Sequence, residues 1–290
     1  MTKTRTTTSK IPGFPAPGRA ESLKGPARPW PANPWEVIAL RYATKDMPGS
    51  HAVLDPDPHE GEARLDYYIW LCRNGDRTVL VDTGFDAEEG AARQRILLTH
   101  PVEALKRIGV EPEDVTDVFI THLHYDHAGN LRHFPNATIH LQDAEMAYAT
   151  GRCMCHARMR KPFAVEDVKT AVEMVYRDRV RFHEGDYTLL PGLTARLVGG
   201  HSKGLQILVV DGETPLVIAS DALHLRRYLT DGQIFPVFAD YFRTVEGYRV
   251  LHELIEAGCE ILPGHDPDVV TLYPRVDPDW EDAVVIRKGA

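Results

Sequence analysis

A layered domain in which strands and helices are mixed along the chain, α+β or α/β in class, follows from three features of the sequence. Short runs rich in β-branched and aromatic residues alternate with segments of helical spacing. After Gly185 the apolar runs crowd together at hairpin distances. No repeat recurs at the periods of solenoids.

The elements follow in chain order. Residues 1–34 hold Pro12, Pro15, Pro17, Pro26, Pro29, Pro31 and Pro34 and read as an extended arm ahead of one domain over 35–290. Leu65 to Cys72 predicts a strand and Thr78 to Val81 a second, across the turn Asn74-Gly75-Asp76. Val102 to Ile108 has helical spacing, with Gly109 as the residue that ends it. Val115 to Thr121 is β-branched and apolar, hence a buried strand. Asp143 to Thr150 and Glu166 to Tyr176 predict helices. Strands are expected at Tyr187–Leu190, Thr194–Val198, Leu205–Val210 and Leu216–Ser220, then a helix at Val245–Ala257 and a strand at Glu260–Leu262.

Composition excludes several classes. With 43% hydrophobic and 26% charged residues the chain is neither collagenous, coiled-coil nor wholly disordered. A net charge of −9 argues against nucleic acid and anionic lipid as partners. No run suits a signal-peptide core or a membrane helix, and four cysteines make no disulfide framework. A cytoplasmic setting is therefore expected. Cys153 and Cys155, followed by His156, are spaced too tightly for an ordinary zinc site and read as structural or incidental.

Histidine is the unusual component. Its 14 copies outnumber tyrosine at 11 and phenylalanine at 9, and imidazole is the commonest metal ligand. His122, His124, Asp126 and His127 follow the Val115–Thr121 strand directly. Alternation in an extended segment puts His122, His124 and Asp126 on one side, and a turn at Ala128-Gly129-Asn130 swings His127 inward. Such groups packed together without a metal would leave polar atoms unsatisfied. His201, Asp221 and His265 each close a later apolar strand, beside the small residues Gly200, Ala222 and Gly264 that allow close backbone approach. The seven together suffice for two metals with Asp221 bridging.

These residues form a recognisable series. His-x-His-x-Asp-His at 122–127, Gly-His-Ser at 200–202, Ser-Asp-Ala at 220–222 and Gly-His-Asp at 264–266 resemble the metallo-β-lactamase superfamily, as does Asp82-Thr83-Gly84 upstream. The wording His-Leu-His-Tyr-Asp-His-Ala-Gly and the stretch Glu184–Leu193 are similar to its N-acyl-homoserine lactonase branch. The resemblance implies an α+β four-layer αβ/βα sandwich with two zinc ions per chain at one edge, manganese, iron or cobalt being alternatives. It implies His122, His124 and His201 on one ion, Asp126, His127 and His265 on the other, and Asp221 between them. Glyoxalase-II-like thioesterases share the seven ligands, but their C-terminal helical domain has little room after His265. One departure stands out: the lactonase branch places a tyrosine three residues after the bridging aspartate, and here that position is His224.

The implied chemistry is the opening of a lactone, or another small ester, by a metal-bridging hydroxide. Asp126 would take and return the proton, and His224 would contact the oxyanion or leaving oxygen. Asp82 is the candidate acceptor that orients a histidine ligand. Gly200-His201-Ser202-Lys203-Gly204 matches a serine nucleophile elbow literally, but a strand follows it where a helix is required. Met146, Tyr148, Met154, Met159, Phe163 and Met174 read either as a pocket wall or as the core side of covering helices. Arg158, Arg160 and Lys161 could meet a substrate carboxylate or be solvated. The aromatic segment Leu223–Phe242 is the second expected wall. A homodimer is compatible with all of this.

Overall fold

A computed structural model describes residues 34–289 apart from residue 76. The expected arm over 1–34 therefore lies outside the described residues, save Pro34, as does the Asp76 corner of the first hairpin. Two sheets carry the fold. In the first, β1 (Glu36–Pro48) pairs with β2 (Glu62–Asn74), β2 with β3 (Arg77–Val81), and the short β4 (Ile96–Leu97) joins β1. Beyond β3 the sheet continues through β5 (Asp117–Phe119), β6 (Thr138–Gln142) and β7 (Val180–His183), these last pairings being parallel. The second sheet runs β12 (Glu260–Pro263), β11 (Leu216–Ser220), β10 (Gln206–Val210), β9 (Leu193–Leu197) and β8 (Tyr187–Leu190). A final hairpin, β13 (Arg275–Asp277) and β14 (Trp280–Arg287), extends the first sheet beside β1.

Burial explains both the layers and the near-continuous apolar runs. On β2, Tyr68, Trp70 and Cys72 pack with Leu208, Val210 and Ile218, so one face of each sheet meets the other. The alternate residues Tyr67, Ile69 and Leu71 join a second cluster that includes Val102 and Leu105 of α2 (Pro101–Arg107). In the same cluster Val217 and Ala219 of β11 share the core with Leu251 and Leu254 of α8 (Tyr241–Glu256). Strands covered on both faces lose polar alternation and read as apolar runs. The result is the expected four-layer α+β sandwich, helix–sheet–sheet–helix.

Most expected elements fall within a few residues of their positions. The Val115–Thr121 strand shortens to β5, Asp117–Phe119, because the residues after it peel away to build the site. Four stretches had no strong local signal: β1, β6, β7 and the terminal hairpin. Helix α6 (Val165–Tyr176) covers the first sheet, with α1 (Ala87–Ala92) nearby. No described helix is long and apolar enough to cross a membrane.

A buried carboxyl on α6 offers a pH test. Asp167 is pushed up to about 7 by burial, with Glu89 and Asp86 of the α1 turn adding to the effect. An acid raised on folding costs stability as pH climbs from its unfolded value through its folded one. Asp167→Asn should therefore match the parent below about pH 4 and exceed it by roughly 4 kcal/mol above pH 7. Thermal melts across that range check this, and a difference that does not vary with pH would remove the buried charge as its cause.

Candidate metal centre

Strand ends meet where the two sheets abut. β3 and β5 are parallel, as are β11 and β12, so their C-terminal ends open onto one rim. His122 and His124 continue from β5, and His201 lies in the β9–β10 turn. Asp221 follows Ser220 and His265 follows β12. One local expectation needs correcting. Asp126 and His127 do not lie on an extended segment but on the single helical turn α3 (Tyr125–Ala128), capped by extended His124. The helix itself carries His127 inward, and its amide hydrogen bonds to His124 O make that turn.

All seven side chains are buried and convergent. The donor atoms of His122, His124 and His201 lie within 4.8 Å of one another, as do those of Asp126, His127 and His265. Asp221 stands between them. Its Oδ2 is 3.0 Å from His201 Nε2 and 3.8 Å from His122 Nε2. Its Oδ1 is 3.2 Å from His127 Nε2 and 3.0 Å from His265 Nε2. His122 Nε2, His127 Nε2 and Asp221 Oδ1 are buried without a hydrogen-bond partner among the described residues. Buried polar atoms without partners are costly, and a cation between them satisfies them all at once. The residues present fit a pair of divalent ions.

The electrostatics of the cluster centre on Asp221. Burial and the neighbouring imidazoles hold His122 and His124 well below the usual histidine range, so both present neutral nitrogens. Burial works to raise Asp221, but the surrounding histidines, His224 and His265 foremost, hold it well below the carboxylate range. Burial lowers His127 and His265, and Asp221 more than reverses this in both.

The imidazoles are aimed by groups behind them. His127 Nδ1 donates to Asp82 Oδ2 at 2.7 Å, and Asp82 also accepts from Thr121 N and Oγ1, each at 2.8 Å. Asp82 does this from a left-handed backbone, φ 60°, as Ser220 does at φ 46° ahead of Asp221. Strain of this kind collects where geometry matters. His265 Nδ1 donates to Asp66 O at 2.9 Å, while Asp66 N donates to His265 O at 3.0 Å. These bonds leave Nε2 of each ring free toward Asp221.

Glu145 on α4 (Asp143–Thr150) does equivalent work and carried no sequence signal. Fully buried, it accepts from Leu123 N at 2.9 Å, Gly204 N at 2.8 Å and Ser202 Oγ. It thereby ties the His122–His124 segment to the His201 turn. Ser202 is spent on this bond and is no nucleophile. The small residues also act differently from expectation. A Cβ on Gly264 would meet Ser220 backbone at 2.6 Å, and one on Gly200 would meet Thr244 N at 2.6 Å. They admit neighbouring backbone, not a ligand. Among the described residues, Cys153 and Cys155 belong to no such donor group.

A cavity of about 540 Å³ opens over the cluster. Phe235, Pro236, Val237 and Phe238 line it, as expected of the Leu223–Phe242 segment, but Tyr241 and Phe242 do not. Tyr148 and Met159 line it from the earlier insert, whereas Met146, Met154 and Met174 pack against or within the core. His224 faces the cavity, stacked on Phe235 at 3.9 Å, with Nε2 3.1 Å from Asp221 Oδ2. Burial, only partly offset by Asp221, pushes its pKa down to about 4.

Comparison with known proteins agrees with this architecture. The metallo-beta-lactamase superfamily model matches residues 64–277. An N-acyl homoserine lactonase of Bacillus cereus is 26% identical over 230 residues, covering 69% of this chain and 86% of that protein. A quorum-quenching N-acyl homoserine lactone hydrolase superposes with a TM-score of 0.68 at 25% identity, over 84% of this chain and 97% of that one. AidC, a dizinc quorum-quenching lactonase, shares the fold at a TM-score of 0.66 and 17% identity, over 88% and 94%. The match begins on β2 and ends in β13, enclosing every strand end that brings a donor to the rim. This chain belongs to the metallo-beta-lactamase superfamily.

Proposed function

We propose that the protein is a dinuclear metal-dependent hydrolase that opens a lactone ring. His122, His124 and His201 would hold one ion and Asp126, His127 and His265 the other, with Asp221 between the two groups. The observation that carries this is Asp221, each of whose carboxylate oxygens is faced by imidazole nitrogens of a different group. Lactonases among the relatives support the substrate class. Zinc suits a donor set of imidazoles and carboxylates, and manganese, iron and cobalt fit the same atoms.

When bound, such a pair of ions supplies Lewis-acid polarisation and a water acidified toward pKa ~7. The chain's own residues do the rest. Asp126 borders the cavity, its oxygens 3.7 Å from His127 Nε2 and 3.8 Å from His265 Nε2. From there it accepts the proton of the attacking water and returns it to the ring oxygen as the C–O bond breaks. His224, neutral at pH 7, hydrogen-bonds the carbonyl or leaving oxygen. The apolar wall at 235–238 shields the reacting carbonyl from bulk water.

A hydrolysis panel of lactones, thioesters and phosphodiesters tests the reading. Cleavage of thioesters with every lactone ignored would replace it with a thioesterase of glyoxalase-II type. His224→Phe should lower kcat by about 10²-fold while both ions remain. Loss of an ion from that variant, read by elemental analysis, would make His224 a ligand instead.

A further inference from the structure

The cavity has two unlike linings. Besides the apolar stretch at 235–238, Lys45, Arg95, Arg158 and Lys161 border it. None of these four cations pairs with a carboxylate among the described residues. Lys45 Nζ donates to Gln94 O at 3.0 Å, and Arg95 donates to Tyr125 Oη at 2.9 Å and Arg93 O at 2.7 Å. Arg93, by contrast, is tied to Glu89. Elsewhere cations find acids readily, as Arg41 finds Asp66, in a chain with 42 acidic and 33 basic residues. Among the described residues, the only carboxylates on the cavity are Asp126 and Asp221, which the proposed ions would neutralise. One-signed charge focused in a low-dielectric cleft attracts the opposite charge.

We propose that the substrate carries a carboxylate in addition to the ester bond to be cleaved, and that Arg95 receives it. This rests on the lactonase reading above. Arg95 is half-buried, its guanidinium 5.8 Å from the ring centres of both Tyr67 and Tyr125. Tyr67 in turn packs its ring against His265 at 4.9 Å. The guanidinium thus stands one aromatic ring from the donor cluster, with Nη2 making no hydrogen bond among the described residues. Such a group binds a carboxylate through a charge-assisted bond about twice as strong as a neutral one. Lys45, Arg158 and Lys161 add field around the same mouth. A neutral acyl chain uses none of this charge.

The test compares 5-oxotetrahydrofuran-2-carboxylate with its carboxamide, the same lactone with and without charge, on the zinc-loaded full-length protein. The carboxylate should be preferred about 10-fold in kcat/KM at low salt, the preference shrinking to about 3-fold near 0.5 M NaCl. Arg95→Gln should bring the ratio close to one, and Lys169→Gln, at an exposed position of α6 outside the cavity lining, should leave it intact. Because Arg95 also braces Tyr125, the double variant Lys45→Gln/Lys161→Gln provides a second reading, with a fall of about 3-fold. Calorimetry with pyroglutamate and pyroglutamamide, lactams of the same shape, should show the same order of binding without turnover. Equal use of both lactones, or a ratio indifferent to both sets of variants, overturns the inference and leaves the lactonase reading standing. Failure to open either lactone while thioesters are cleaved overturns the lactonase reading itself.

Discussion

Replacing Asp221 by alanine is expected to remove metal and activity together. The variant should retain less than one equivalent of metal after gel filtration, and kcat/KM should fall by about 10³-fold or more, roughly 4 kcal/mol of transition-state stabilisation. Among the described residues, the carboxylate is the only negative charge shared by both donor groups, with imidazole nitrogens at 3.0, 3.0 and 3.2 Å. Without it both donor groups lose the anion that faces them, and the remaining imidazoles face one another unbridged. Asp221→Asn keeps the shape but not the charge, so it should bind metal weakly and turn over slowly. Elemental analysis beside a circular dichroism spectrum separates this from unfolding. A folded Asp221→Ala protein holding both ions would show that the carboxylate does not bridge.

Glu145→Ala should be the most damaging change away from the donor atoms. It leaves two buried amides and a hydroxyl without acceptors, at about 1–3 kcal/mol each, for a total near 4 kcal/mol. Burial raises the Glu145 pKa while Leu123 N, Ser202 and Gly204 N draw it back, as for a carboxylate whose donors are provided. Because these bonds join the His124 and His201 segments, the ion those residues hold should be lost first. Urea unfolding with metal titration measures both effects, and Glu145→Gln should recover part of each. Unchanged stability in the alanine variant would mean that water replaces the carboxylate and that the tie is not structural.

These two residues differ in how visible they are along the chain. Asp221 stands in Ser-Asp-Ala at a strand end, a local pattern that needs no partner to be noticed. Glu145 is one acid in the helical stretch Asp-Ala-Glu-Met, where a solvated face is the ordinary expectation. Its burial comes from Gly204, where even a Cβ would collide with Glu145 at 2.4 Å. The helical turn at Tyr125–Ala128 escaped a reading based on alternation because four residues are too few to show a helical period. β1 escaped for a different reason. It is buried over most of its length, yet Arg41, Thr44 and Lys45 interrupt its apolar run. Arg41 lies inside because Asp66 meets it at 2.8 Å and Asp282 at 2.5 Å.

By itself the sequence determined the layered class, most strands and helices, and the seven residues that the structure gathers into one buried cluster. Those properties are local: apolar runs report burial on both faces, and the donor residues are written within a few positions of the strands that deliver them. Only the tertiary structure decided which nitrogen faces which oxygen of Asp221, that Glu145 ties two ligand segments together, and that unpaired cations share one cavity. Each of these joins residues far apart in the chain. Such contacts arise when two sheets close against each other, and no local period in the sequence records them.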